Sequence, residues 1–288
     1  MADYRERRWT TSDGLSLFAR DYAGGDGEAR LPVLCLHGFT RNSRDFEDLA
    51  PAIAATGRRV IAMDMRGRGH SDRDPKPANY HPKVYARDVI GFLADLGVPR
   101  ALFLGTSMGG IITLAVGLLR PRLIGGAILN DVGPAVDPAG IARIQSYAGK
   151  APPVRSWQDA ADYLRAINGA ALPQLAGKDW QRMARRAFRD SPAGPVLDYD
   201  PAIASASGAK TKTTSLIAWF ALWRLARRVP TLLLRGEQSD ILSAEIAARM
   251  QRRAPAMQVA VVPGVGHAPT LAEPAALAAI HAFLEAAQ

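Results

Sequence analysis

Ala101-Leu102-Phe103-Leu104-Gly105-Thr106-Ser107-Met108-Gly109-Gly110-Ile111-Ile112 is the stretch on which the reading of this chain turns. The apolar run 101–104 predicts a buried strand. The apolar run from Gly110 to Val116 predicts a buried helix. Between them lies a G-x-S-x-G pattern, Gly105 to Gly109, with Ser107 at its centre. A serine on so sharp a strand-to-helix turn needs small neighbours. It also faces a helix N-terminus, whose free N–H groups favour developing negative charge. The pentapeptide is weak evidence alone; the strand before it and the helix after it make it a nucleophile elbow.

A serine hydroxyl is a poor nucleophile until a base accepts its proton, and the base needs an orienting acid. Both occur downstream. Thr231 to Gly236 reads as a strand, followed by the loop Glu237-Gln238-Ser239-Asp240. Val259 to Val262 reads as the next strand, followed by Pro263-Gly264-Val265-Gly266-His267. Ser107 is therefore assigned as nucleophile, His267 as general base and acid, and Asp240 as the orienting acid. Asp131, directly after the predicted strand Leu123–Asn130, is the alternative acid, and Glu237 a weaker one.

The order serine, acid, histidine resembles that of the α/β-hydrolase superfamily. Leu36-His37-Gly38-Phe39 is similar to that family's H-G segment, and Asp64-Met65-Arg66-Gly67-Arg68-Gly69-His70-Ser71 to its D-x-R-G-x-G-x-S turn. The resemblance runs over most of the chain. It implies an α/β fold with a mostly parallel central sheet flanked by helices. It also implies an oxyanion hole made by the backbone N–H groups of Phe39 and Met108. The D-x-R-G-x-G-x-S residues and His37 are expected to be scaffold.

The strand–helix alternation breaks between about Gly133 and Lys212, a stretch of short helices interrupted by prolines. By resemblance, 133–212 is an inserted helical cap, with 1–132 and 213–288 forming the core. Such a cap excludes water and lines the pocket. Expected substrate contacts are Arg41, Asn42, Trp157, Tyr163 and Leu164.

The 288 residues are 48% hydrophobic, enough for one large core and an insertion. The single cysteine, Cys35, precludes an intramolecular disulfide and lies in an apolar run, as a small core residue does. A net charge of +9 invites a nucleic-acid reading, but the basic residues are scattered and no nucleic-acid motif accompanies them. No His/Cys/Asp/Glu cluster has metal-ligand spacing, and no glycine-rich phosphate loop occurs, so no metal or nucleotide cofactor is expected. The charged N-terminal residues lack an apolar signal core, and no segment is long and apolar enough to span a bilayer. The expected setting is cytoplasmic, with a small-molecule substrate, no membrane partner, and a monomer or small homo-oligomer.

The elbow serine sets aside relatives that carry an aspartate there. The resemblance implies a carboxylic ester or lactone hydrolase acting through an acyl-enzyme on small to medium apolar substrates. A carbon–carbon hydrolase of vinylogous diketone acids is the alternative, with Arg41 and Asn42 holding the acid; a non-catalytic ligand-binding protein is the third reading.

Overall fold

The computed structural model describes residues 4–25, 30–150, 154–206 and 215–287. Ten strands are formed among these residues: β1 Arg5–Thr10, β2 Ser16–Tyr22, β3 Val33–Leu36, β4 Val60–Asp64, β5 Ala101–Thr106, β6 Ile124–Asn130, β7 Phe188–Arg189, β8 Val196–Leu197, β9 Thr231–Gly236 and β10 Gln258–Val262. Eight of them make one sheet in the order β1-β2-β4-β3-β5-β6-β9-β10. The first two pairings are antiparallel and the other five parallel.

The helices are α1 Leu49–Ala54, α2 Pro82–Asp95, α3 Met108–Leu119, α4 Pro138–Tyr147, α5 Trp157–Asn168, α6 Gly177–Ala187, α7 Ile203–Ala206, α8 Leu216–Ala226, α9 Ala244–Arg253 and α10 Pro274–Ala286. Alternate residues of each central strand enter opposite layers, as the strand period of two requires. Phe103, Leu129 and Leu233 pack with Phe92, Ile112, Leu222 and Met250 on one face. Leu102, Leu104, Ile128 and Leu234 pack with Ile53, Ile280 and Phe283 on the other. Both faces are covered, which is why β3, β4, β5, β6 and β9 read as continuous apolar runs.

Strand order reverses between β3 and β5, because β3 is followed by β4 on one side and β5 lies on the other. Loops leaving adjacent strands in opposite directions open a crevice at that point. The Gly38–Asn42 loop after β3 and the Ser107 turn after β5 flank it.

Most predicted elements form close to their expected limits. After β3 the chain makes a 3-10 turn, Ser43–Phe46, and then α1. The buried Asp64 carboxylate accepts from the Ser43 N–H at 2.6 Å and anchors the turn separately. Between β6 and α8 the chain makes α4, α5, α6, a two-strand ribbon and α7 among the described residues. Part of this segment has its own small core of Leu164, Leu172, Trp180, Ala184 and Phe188, joined to Val262 and Val265. The expected boundary at 212/213 lies outside the described residues.

Candidate active site

Ser107 sits between β5 and α3 with φ +50° and ψ −111°, a left-handed conformation for a residue with a side chain. Such a conformation costs about 1–2 kcal/mol and persists only where its surroundings impose it. Here the close approach of β5, α3 and β3 imposes it. A Cβ on Gly105 would lie 2.5 Å from the Gly109 oxygen, and one on Gly109 would lie 2.1 Å from the Leu36 oxygen. Only glycines let α3 start so near the sheet.

The turn aims the Ser107 hydroxyl at His267. Its Oγ is 2.9 Å from His267 Nε2, across 160 residues of sequence. His267 Nδ1 is 2.8 Å from Asp131 Oδ2. Asp131 is fully buried and also accepts from Ser239 Oγ at 2.6 Å and, through Oδ1, from the Gly236 N–H at 2.9 Å. Two protein donors besides the ring hold this carboxylate, so its acceptor face toward Nδ1 is fixed.

The carboxylate beside His267 is thus Asp131, not the expected Asp240, which corrects the assignment made from sequence. Asp240 is turned away into a bidentate pair with Arg143 of α4, at 2.5 and 2.8 Å, and only the charge of His267 reaches it. Burial would raise its pKa, but the Arg143 guanidinium more than offsets this and holds it below the ordinary carboxylate value. The reason lies in the backbone. Asp131 adopts φ +56° immediately after β6, and its N–H donates to Leu234 of β9 at 2.8 Å. That turn sends its side chain between β6 and β9, under the histidine loop. The loop after β9 meets it with Ser239, whose Oγ also accepts from the Leu242 N–H.

The N–H groups of Phe39 and Met108 donate to no protein acceptor among the described residues, although both flank Ser107. Behind them lies Arg68, 1% exposed. It donates to the carbonyls of Phe39 and Arg66 and to Tyr85 Oη, and lies 3.7 Å from Met108 Sδ. Its guanidinium also faces the rings of Phe39, Tyr80 and Tyr85. A single buried cation therefore braces both residues whose N–H groups are free.

His37 sits within the scaffold. Its Nε2 accepts from the Met65 N–H at 3.0 Å, so its Nδ1 carries the proton and donates to Gly38 O at 2.7 Å. Burial lowers its pKa from 6.5 to about 4, which keeps it neutral. Arg66 binds Asp88, Asp74 and Asp13, and Ser71 donates to the Asp64 carbonyl. These contacts make the D-x-R-G-x-G-x-S turn rigid.

A cavity of about 350 Å³ opens over Ser107 and His267. Phe39, Arg41, Tyr163 and Leu164 are among the residues that line it. Ile144 and Tyr147 of α4, together with Tyr199, line it too and were not expected. Burial pushes the Tyr163 hydroxyl up to about 12, and raises Tyr147 and Tyr199 as well, so all three stay protonated at neutral pH. Arg41 is neutralised by Asp45, at 2.5 Å.

Two expected contacts are not part of the lining. Asn42 is buried in the scaffold, where it caps the Ser43–Phe46 turn and donates to Arg186 O at 2.9 Å. Trp157 is stacked under Arg185, 3.7 Å from ring centre to guanidinium. Both depart for the same reason: long-range partners captured side chains that sequence adjacency alone assigned to the pocket. A wider hollow of about 510 Å³ at the β1–β2 edge, lined by Arg5, Arg7 and Arg59, contains neither a serine nor a histidine.

A family model described as alpha/beta hydrolase fold matches residues 32–274. The chain is 31% identical over 280 residues to a 3-hydroxybutyrate-oligomer hydrolase of Cupriavidus necator, covering 95% of this chain and 94% of that protein. It is 26% identical to an sn-1-specific diacylglycerol lipase of Mus musculus, over 84% of this chain and 77% of that one. A crystal structure of an alpha/beta hydrolase from Novosphingobium aromaticivorans superposes with a TM-score of 0.91 at 43% identity, over 99% of both chains.

Proposed function

The chain belongs to the alpha/beta hydrolase fold family, and from that premise we propose that it is a serine hydrolase of carboxylic esters or lactones working through an acyl-enzyme. The observation that carries the reading is the continuous Ser107–His267–Asp131 hydrogen-bond chain at the floor of a largely apolar cavity.

In this reading Ser107 Oγ attacks the ester carbonyl carbon as His267 Nε2 takes its proton. Asp131 holds the Nδ1 proton and balances the imidazolium charge. The oxyanion is received by the Phe39 and Met108 N–H groups, which donate to no protein acceptor among the described residues. His267 then returns the proton to the leaving alkoxide. Water, activated by the same ring, attacks the acyl carbon and releases the acid and Ser107. The inserted segment between β6 and α8 acts as a cap, since α4 and α5 supply Ile144, Tyr147, Tyr163 and Leu164 to the cavity wall.

The substrate class is a short-chain ester with an apolar backbone, and the similarity to an oligomer hydrolase supports linear oligoesters of short hydroxy acids as candidates. The pairing of Arg41 with Asp45 and the scaffold position of Asn42 favour the ester reading over the carbon–carbon hydrolase alternative.

The test is fluorophosphonate labelling read by intact mass, with turnover of a panel of chromogenic esters and a 3-hydroxybutyrate dimer. Wild type should take one adduct and hydrolyse short acyl esters. Ser107→Ala should do neither. Absence of both adduct and turnover in wild type would favour a ligand-binding protein.

A further inference from the structure

Helix α8 has apolar residues on two faces, and only one is covered. Trp219, Leu222, Leu225 and Ala226 are buried in the core. Leu216, Ile217, Phe220 and Trp223 are 81, 69, 53 and 40% exposed. Their helical spacing puts them on one stripe. On α3, against which α8 packs, Ile111 and Leu119 are exposed as well. A surface helix ordinarily turns polar residues outward, so a continuous apolar stripe marks a contact surface.

The two helices and the residues that flank them directly in sequence carry charge of one sign. Residues 107–130 and 215–236, which include both helices, contain no Asp or Glu. They contain Arg120, Arg122, Arg224, Arg227 and Arg228, besides the buried Arg235 of β9. The Arg227 guanidinium lies 4.9 Å from the Trp223 ring centre, on the exposed stripe itself. From α9, Arg249 and Arg253 lie over the Trp219 ring, 4.7 Å away in each case.

We propose that this face of α8 docks on an anionic lipid surface. The helix lies in the plane of the interface, its apolar stripe among the upper acyl chains and its arginines on lipid phosphates. A second copy is disfavoured by the same charges. A two-fold contact sets a patch against itself, and this one would bring arginines together with no carboxylate from either helix to neutralise them. The absence of a membrane partner was expected because no segment can span a bilayer. Among the described residues no helix is long and apolar enough to do so, but docking in the interface needs no spanning helix.

The experiment is co-sedimentation of the full chain with vesicles of phosphatidylcholine, alone or with a one-third share of phosphatidylglycerol. Binding should be about tenfold or more tighter to the mixed vesicles at low salt and should weaken as salt rises. The double variant Ile217→Ser/Phe220→Ser should lose about tenfold in that binding. Circular dichroism and a thermal melt verify its fold. If it does not fold, Arg227→Gln/Arg228→Gln should remove most of the preference for the anionic vesicles. Equal sedimentation with and without vesicles overturns the proposal. So does undiminished binding by a folded variant, or a wild-type dimer in analytical ultracentrifugation that ignores vesicles and that the serine variant splits into monomers.

Discussion

Asp131→Asn is the most discriminating perturbation of the proposed mechanism. The native carboxylate meets three donors with two oxygens: Gly236 N–H, Ser239 Oγ and His267 Nδ1. An asparagine has one oxygen. If that oxygen faces Gly236, the amide NH₂ faces the ring and donates to Nδ1. The ring proton then sits on Nε2, 2.9 Å from Ser107 Oγ, where it blocks proton uptake from the serine. If the amide is flipped, its NH₂ opposes the Gly236 N–H inside a fully buried site, at a cost of about 1–3 kcal/mol. Either arrangement removes the base or strains the site. The expected fall in kcat is about 10³–10⁴-fold, with KM nearly unchanged. Asp240→Asn breaks only a pair whose side chains are 29 and 36% exposed. Solvent screening limits that loss to about 1 kcal/mol of stability, and kcat should stay within about threefold. Initial rates on a chromogenic butyrate ester distinguish the two. The reasoning fails if Asp240→Asn is the crippled variant while Asp131→Asn keeps more than about a tenth of the activity.

Other consequences are equally direct. Arg68→Met keeps the bulk but removes the donors to Phe39 O and Tyr85 Oη, so kcat should fall about 10–100-fold with a small KM change, and Arg68→Lys should restore part of it. Because the His37 pKa falls from 6.5 to about 4 on folding, the unfolded chain binds the proton more readily. Its contribution is complete above pH 6.5 and is lost as pH drops toward 4, about 3 kcal/mol in all; chemical denaturation across that window should show a shallower decline for His37→Gln. Gly109→Ala would set a Cβ 2.1 Å from Leu36 O, against backbone that cannot yield, and should melt well below wild type. Gly177→Ala, with nothing within 4 Å of its added Cβ, should melt within a few degrees of it.

The elbow, the strand order of motifs and the glycine-bearing turns were legible because they are local. A buried parallel strand, a helix after it and the small residues between them leave their signature in consecutive positions. Ser107, His267, Phe39 and Met108 fall within such segments, and the structure brings them together. The acid was not legible in the same way. Asp131 and Asp240 both follow strands, and both are aspartates in short loops. Their difference is made by partners far away in sequence: Arg143 captures Asp240 from α4, while Gly236 at the end of β9 and Ser239 in the loop after it receive Asp131. Asn42 and Trp157 were likewise drawn into the scaffold by Arg186 and Arg185.

The sequence by itself determined the α/β class, the covered sheet and the position of the serine turn, since hydrophobic period and steric need for glycine are properties of neighbouring residues. Only the tertiary structure decided which carboxylate faces His267, which α4 side chains wall the cavity, and that the outer stripe of α8 stays bare. Each of those depends on which distant group reaches a side chain first, and a polar or apolar group becomes committed only when its partner arrives within contact distance.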